Sequence, residues 1–326
     1  VNPIRLASNR PQERFYRGGS RISAFRGEPN PAQSEPEDWI GSITTVYGEA
    51  DRGLSALPDG AILRDAIGAD PEAWLGTAHA ERWGADSRLL VKLLDAGQRL
   101  PVHAHPHDEF AARHLGRAHG KAEAWYILEG GVVHIGLRED NDKSTLAGLV
   151  AEQNVDALLG LLHDVEVAAG DVVWVPPGVL HAIGAGVLLL ELQQPEDLSI
   201  LLEWKGFDID GASAGHLGLG FDLALAAVET RARSAAEIER MVHAAPASGA
   251  VLPAAADPYF RLERMPVAGS ATIDEGFSII VVSDGVVEIA GEEEAARGVT
   301  LLVPASAGKL TVRGEGELLI ARPPAP

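Results

Sequence analysis

The stretch PVHAHPHDEF, residues 101–110, sets His103, His105 and His107 at alternate positions, with Pro106 between the second and the third. Alternation is the spacing by which a β-strand sends side chains to one face. Imidazoles on one buried face need a partner, and a metal ion is a partner that several can share. Pro106 has no N–H for a sheet ladder and tends to end a strand. His103 and His105 are therefore the candidate ligands, and His107 reads as the polar start of a helix over HDEFAARHL. The chain holds no cysteine, so any metal must use His, Asp or Glu. His114 and His119 read as solvated, and His134 lies on a strand with either face open to it. His79, His163, His216 and His243 have no motif around them.

Two spaced patterns frame the pair. Gly97 leads a G-x5-H-x-H through His103 and His105, and Glu123 with Gly130 supplies an E-x6-G. Gly170, Pro176, Gly178 and His181 then give G-x5-P-x-G-x2-H. In this order the two patterns resemble the paired cupin motifs. The spacing has a physical reason: His103 and His105 project from one strand face into a barrel, and Glu123 and His181 arrive from other strands. The Pro-x-Gly makes a tight turn that feeds the His181 strand back inward. Three imidazoles and a carboxylate suit one borderline divalent ion, and zinc is the expectation.

The elements that must position these residues are mostly strands. Strand-like runs are WIGSITTVYG, RLLVKLLDAG, AEAWYILEGGVVHIGL, DVVWVPPG and GVLLLELQQ. Helical patterns fall in 61–83, 107–119, 144–163 and roughly 222–243. The one over 144–163 has Ser144 or Thr145 as its cap and Leu146, Val150, Leu158 and Leu162 among its apolar positions. An alanine-rich linker spans 243–258, and short alternating runs follow it to the C-terminus. The reading is a mainly β chain of two cupin-like β-sandwich or barrel domains with inserted helices. Residues 1–245 are expected to form the metal-binding domain, with helical insertions. Residues 257–326, which lack histidine, form a cupin-like β domain without metal.

The 326 residues suffice for two or three domains. A net charge of −20, from 47 acids against 27 bases, disfavours nucleic acid and anionic membranes as partners. It also means that an anionic substrate needs a local basic pocket. No apolar leader or membrane-length run is visible. With the absence of cysteine this fits a cytoplasmic protein, monomeric or a small homo-oligomer.

Seventeen residues, 106–122, separate the His-x-His from Glu123, an interruption ordinary cupins lack. The block PVHAHPHDEFAARHLGRAHGKAEAWYILEG resembles the type I phosphomannose isomerases, especially their short bacterial form. The likeness extends to RLLVKLLDAGQRL before it and to GDVVWVPPGVLHAIGAGVLLLELQQPED after it. It reaches DPYFRLERM and the final β segment. The resemblance implies one divalent metal on His103, His105, Glu123 and His181, with His103 replacing the family's glutamine. It implies roles for Lys121, in catalysis and substrate binding, and for Glu191 in catalysis. The family's serine and threonine are Pro101 and Ala122 here, and its active-site arginine is Leu201. Lys205, Arg99 and Lys121 are the cations considered as its substitutes.

The implied reaction interconverts an aldose and a ketose, mannose 6-phosphate and fructose 6-phosphate, through a cis-enediol(ate). A metal stabilises the charge on O1 and O2, and a base shuttles the proton. Glu191, inside VLLLELQQ, is a candidate base if burial raises its pKa. Lys121 donates to a substrate oxygen or holds a phosphate. The alternatives are a homologue with an altered sugar substrate, or a sugar-binding protein with little isomerase activity because of Leu201. A cupin oxidase or dioxygenase using iron on the same ligands is a more distant reading. The partner in the favoured readings is a small sugar or sugar phosphate.

Overall fold

The computed structural model describes residues 2–29, 32–290 and 294–326. Three antiparallel sheets organise them. The central, six-stranded sheet runs Val242–Ala244, Asp171–Val175, Glu123–Glu129, Leu188–Gln193, Leu90–Asp95, Glu37–Ile40. A five-stranded sheet faces it, in the order Ile200–Leu201, His103–Ala104, His181–Ile183, Gly131–Leu137, Leu162–Val167. On the other side lies a seven-stranded sheet built on the long strands Arg261–Ile273, Ser278–Ile289 and Leu310–Arg322. The chain is mainly β and cupin-like, as its patterning predicts.

Strand alternation decides which residues meet. On one face of the central sheet, Val91, Leu93, Ala124, Tyr126, Leu190 and Leu192 pack with Phe260, Ile279 and Leu319 of the seven-stranded sheet. The intervening residues, among them Lys92, Glu123, Trp125 and Glu191, point towards the five-stranded sheet. There Leu94, Trp125, Val133, Ile135, Ile183 and Leu189 form a second core. The outer face of the five-stranded sheet, including Ala104, Ala182 and Ile200, lies under Phe110, Leu146, Leu158 and Leu225 from the intervening helices. A two-residue period thus places charged side chains and core on the same inner face.

Several local expectations are refined. The helical pattern over 144–163 is two helices, Lys143–Glu152 and Val155–Gly160, followed by the strand Leu162–Val167. Asp142 caps the first, accepting from Thr145 N at 2.7 Å. Gln153 breaks the run in a left-handed conformation, φ 50°, and its side-chain oxygen accepts from Trp204 N at 2.7 Å. Asn154 caps the second helix. The 222–243 stretch holds the short helices Phe221–Ala224 and Ala235–Met241, and then Val242–Ala244 joins the central sheet. Of WIGSITTVYG, only Trp39 and Ile40 lie in a strand. Within the expected linker, Gly249–Ala250 pairs with Arg261–Ile273. The N-terminal strand Ile4–Arg5 pairs with Thr300–Val303 of the same sheet.

Gly97, which opens the first motif, is a packing requirement. A Cβ there would sit inside the backbone of Gly18 and Gly19, where the N-terminal segment crosses the end of the Leu90–Asp95 strand. Overpacking a rigid backbone contact costs about 1–3 kcal/mol. Gly97→Ala should therefore lower the urea midpoint of unfolding at unchanged m-value, and an unaltered midpoint would refute this account.

Candidate metal centre and active site

His103 and His181 are cross-strand partners in the five-stranded sheet, with ring centroids 4.1 Å apart. His105 follows the short strand His103–Ala104 and turns its ring to the same point, 4.9 and 5.0 Å from the other two. Each imidazole is oriented by its own carbonyl. Nδ1 of His103 donates to Pro101 O at 2.8 Å, that of His105 to Leu198 O at 2.7 Å, and that of His181 to Val179 O at 2.9 Å. Protonation at Nδ1, assigned from these bonds, leaves every Nε2 with a lone pair. One such atom from each ring lies within 4.8 Å of the others. Backbone-anchored Nδ1 with free Nε2 is the outer support that metal-binding histidines require.

Glu123 enters from the facing sheet. Its Oε2 lies 3.1 Å from His105 Nε2 and its Oε1 3.1 Å from His181 Nε2. Glu123 Oε2 and His181 Nε2 are both buried without a hydrogen-bond partner among the described residues. Burial holds His103 well below its ordinary pKa, and burial with the neighbouring Lys121 brings His105 down to about 4. Both are neutral, the form that ligates. Burial alone would raise the Glu123 pKa, but the Lys121 ammonium overcomes it and keeps the carboxylate ionised. Three imidazoles, one carboxylate and two buried polar atoms without a hydrogen bond fit a single divalent ion. Gly178, in the turn before His181, has φ +86°, a conformation glycine adopts without strain, and its N–H donates to His105 O at 2.7 Å. The second motif is thereby tied to the first.

A cavity opens beside this cluster, lined by His103, Glu123, Lys121 and Glu191. Lys121 Nζ is 3.1 Å from Glu123 Oε2, 3.3 Å from His105 Nε2 and 3.7 Å from Glu191 Oε1. Burial would lower its pKa, but Glu123 and Glu191 hold the ammonium charged. Burial raises Glu191 to about 8, with Lys92 opposing and Glu123 reinforcing the shift. Its Oε2 has no hydrogen-bond partner among the described residues. An acid so poised can exchange a proton near neutral pH.

The cavity also holds residues to which sequence reasoning gave no role: Lys92, Glu37, Arg14 and Asp197. Lys92 is opposite Glu191 in register and 3.7 Å from its Oε2, and its Nζ lies 4.7 Å from the Trp39 ring centroid. A lysine inside the apolar run LLVKLL was the available signal, since buried ammonium groups need partners. Leu201 also lines the cavity, paired in register with His103 and 3% exposed. Arg99 forms a two-pronged pair with Glu203 at 2.9 and 2.5 Å, and neither it nor Lys205 is among the residues lining the cavity.

The other histidines lie elsewhere. His107 caps the helix Asp108–Phe110, accepting from Phe110 N at 3.2 Å. His119 is buried, against expectation, because its Nε2 pairs with Asp86 Oδ2 at 2.6 Å. His134 pairs with Asp164 at 2.6 Å.

Fold and site together define a cupin-type protein with a candidate metal centre in an enclosed cavity. No family model matches the chain. It is 31% identical over 202 residues to mannose-6-phosphate isomerase of Streptococcus mutans, a match covering 59% of this chain and 57% of that protein. It is 32% identical over 206 residues to mannose-6-phosphate isomerase ManA of Bacillus subtilis, covering 61% of each. The matched stretch thus spans about three-fifths of these relatives' length. A crystal structure of the mannose 6-phosphate isomerase from Bacillus subtilis superposes with a TM-score of 0.77 at 23% identity, covering 99% of this chain and 100% of that one. The resemblance to the type I phosphomannose isomerase family holds in sequence and in fold, and the chain is phosphomannose-isomerase-like.

His105→Ala should sharply lower the stoichiometry of divalent metal found by elemental analysis, whereas His107→Ala should leave it unchanged. Equal losses, or no stoichiometric metal in the wild type, would overturn the ligand set.

Proposed function

We propose that this chain is a metal-dependent aldose–ketose isomerase that interconverts mannose 6-phosphate and fructose 6-phosphate. The observation that carries the reading is the meeting, in one cavity, of an oriented His–Glu cluster with a buried acid of raised pKa and two buried lysines. His103, His105, Glu123 and His181 would hold one divalent ion, taken to be zinc from its nitrogen-rich donor set. When bound, the ion would supply Lewis-acid stabilisation of negative charge on the sugar's O1 and O2.

The chain's own groups do the rest. Glu191, as carboxylate, takes the proton from C2 of the aldose; the electron pair left behind forms the C1–C2 double bond as the carbonyl oxygen gains charge. The same carboxyl returns the proton to C1, while the hydroxyl proton passes from O2 to O1, giving the ketose. Lys121 donates to an oxygen of the enediol(ate). Lys92 pairs with Glu191 when it is ionised and restrains its rise in pKa. The two sheets exclude bulk water, which strengthens each of these interactions. In the same reading residues 1–245 carry metal and chemistry, and residues 257–326 are a β domain without metal.

Leu201 favours a second reading, a metal-holding homologue that binds a sugar and isomerises it poorly. A coupled assay of mannose 6-phosphate isomerisation, with and without chelator, separates the two. Chelator-sensitive turnover is the expected result, and binding without turnover would establish the second reading. Glu191→Gln resembles the protonated acid and should retain metal and fold, yet lose about 100- to 10,000-fold in kcat. Retained kcat would remove Glu191 as the base.

A further inference from the structure

One cation of the cavity has no part in that scheme. Arg14 stands in the N-terminal segment and lines the cavity with His103, Glu123 and Glu191, its side chain 9% exposed. Its Nη1 donates to Asp197 Oδ2 at 3.0 Å, and its Nη2 to Asp197 Oδ1 at 3.2 Å and Glu37 Oε1 at 3.4 Å. A guanidinium has five N–H donors. One N–H of Nη1 is left without a hydrogen-bond acceptor among the described residues, whereas Nε is buried 3.4 Å from Glu37 Oε2.

The segment is built to hold this side chain. Glu13, just before it, adopts φ 58°, a conformation that non-glycine residues rarely take and that concentrates at functional sites. Arg14 N donates to Ser34 O at 3.0 Å, and Asp208 N to Phe15 O at 2.9 Å. Glu37 is itself fixed by Trp39 Nε1 at 2.6 Å and by the Tyr16 hydroxyl. Leu201 lines the same cavity and offers no polar atom in its side chain.

We infer that Arg14 contacts the substrate, donating from Nη1 to a hydroxyl or carbonyl oxygen of the sugar, with Asp197 and Glu37 fixing its plane. An uncharged oxygen fits better than a phosphate, because both carboxylates already balance the guanidinium and would repel a dianion brought beside it. The inference rests on the isomerase reading for the identity of the sugar.

The test uses the zinc-loaded full chain. Arg14→Gln should lower kcat/KM for mannose 6-phosphate by about 10- to 100-fold, as expected for the loss of one hydrogen bond from a charged donor. Zinc content and inhibition by inorganic phosphate should stay at wild-type values, while the melting midpoint falls because Asp197 and Glu37 lose a buried partner. Unchanged kcat/KM in a folded variant would overturn the inference, and weakened phosphate inhibition would overturn the choice of an uncharged oxygen. Leu201→Arg should bring no gain in turnover; a tenfold rise would assign the missing cation to that position instead. If Arg14→Gln does not fold, Arg14→Lys, which keeps charge without the planar fork, is read by the same criteria. If the wild type does not isomerise mannose 6-phosphate, the isomerase reading falls by itself. Arg14 is then judged by calorimetric binding of fructose 6-phosphate. Tenfold weaker binding by Arg14→Gln supports the contact, and equal binding, or none by the wild type, overturns it.

Discussion

Everything at the centre of this molecule depends on burying charges that neutralise one another. Arg14, Lys92 and Lys121 face Glu37, Glu123, Glu191 and Asp197 within one cavity. Desolvating any one of them alone would cost several kcal/mol, roughly, and only close pairing offsets that. Each cation accordingly lies between acids: Arg14 between Asp197 and Glu37, Lys92 between Glu37 and Glu191, Lys121 between Glu123 and Glu191. The acids outnumber the cations by one, and Glu191 is the acid that burial brings to a pKa where it can take up or release a proton near neutral pH.

The central sheet makes this arrangement possible. Its outer face is continuously apolar and sealed by the seven-stranded sheet, so its strands are fixed without help from the cavity side. The inner face can then carry lysines and acids that would destabilise a sheet exposed to water on its other side. The five-stranded sheet has the reverse task. Its helical cover fixes the outer face, and carbonyls of Pro101, Val179 and Leu198 aim the imidazoles across the gap.

How far this was legible in the sequence follows from where each residue gets its position. His103, His105, Glu123 and His181 lie in patterns whose spacing is set by strand period and turn geometry, so their convergence was readable. Pro106 sets His107 apart from the pair, and the His107 ring caps a helix. Lys92 sat in plain view inside an apolar run but acquires meaning only through its register with Glu191. Arg14 and Asp197, 183 residues apart, meet through tertiary folding that no local pattern encodes. The break at Gln153 was hidden for the same reason, since its partner Trp204 N lies 51 residues away. Burial of His119 likewise depends on Asp86, 33 residues before it.

The pairing of Ile4–Arg5 with Thr300–Val303 has a bearing on the order in which the molecule is completed. Leu6 N donates to Thr300 O at 3.0 Å, and Arg26 reaches both Thr300 Oγ1 at 3.1 Å and Asp38 Oδ2 at 2.9 Å. The segment that delivers Arg14 and Glu37 is therefore tethered at both ends, and one anchor belongs to a sheet made after the histidine cluster. The histidine cluster and four of the six strands of the central sheet lie within residues 90–201, while the edge strand Glu37–Ile40 and the apolar cover come from outside that stretch. The wall opposite has no fixed seat until the C-terminal sheet exists. A nascent or C-terminally shortened chain would thus present its histidines and buried acids to solvent with one side of the cavity open. The C-terminal sheet, far from the chemistry, serves as the latch that shuts it.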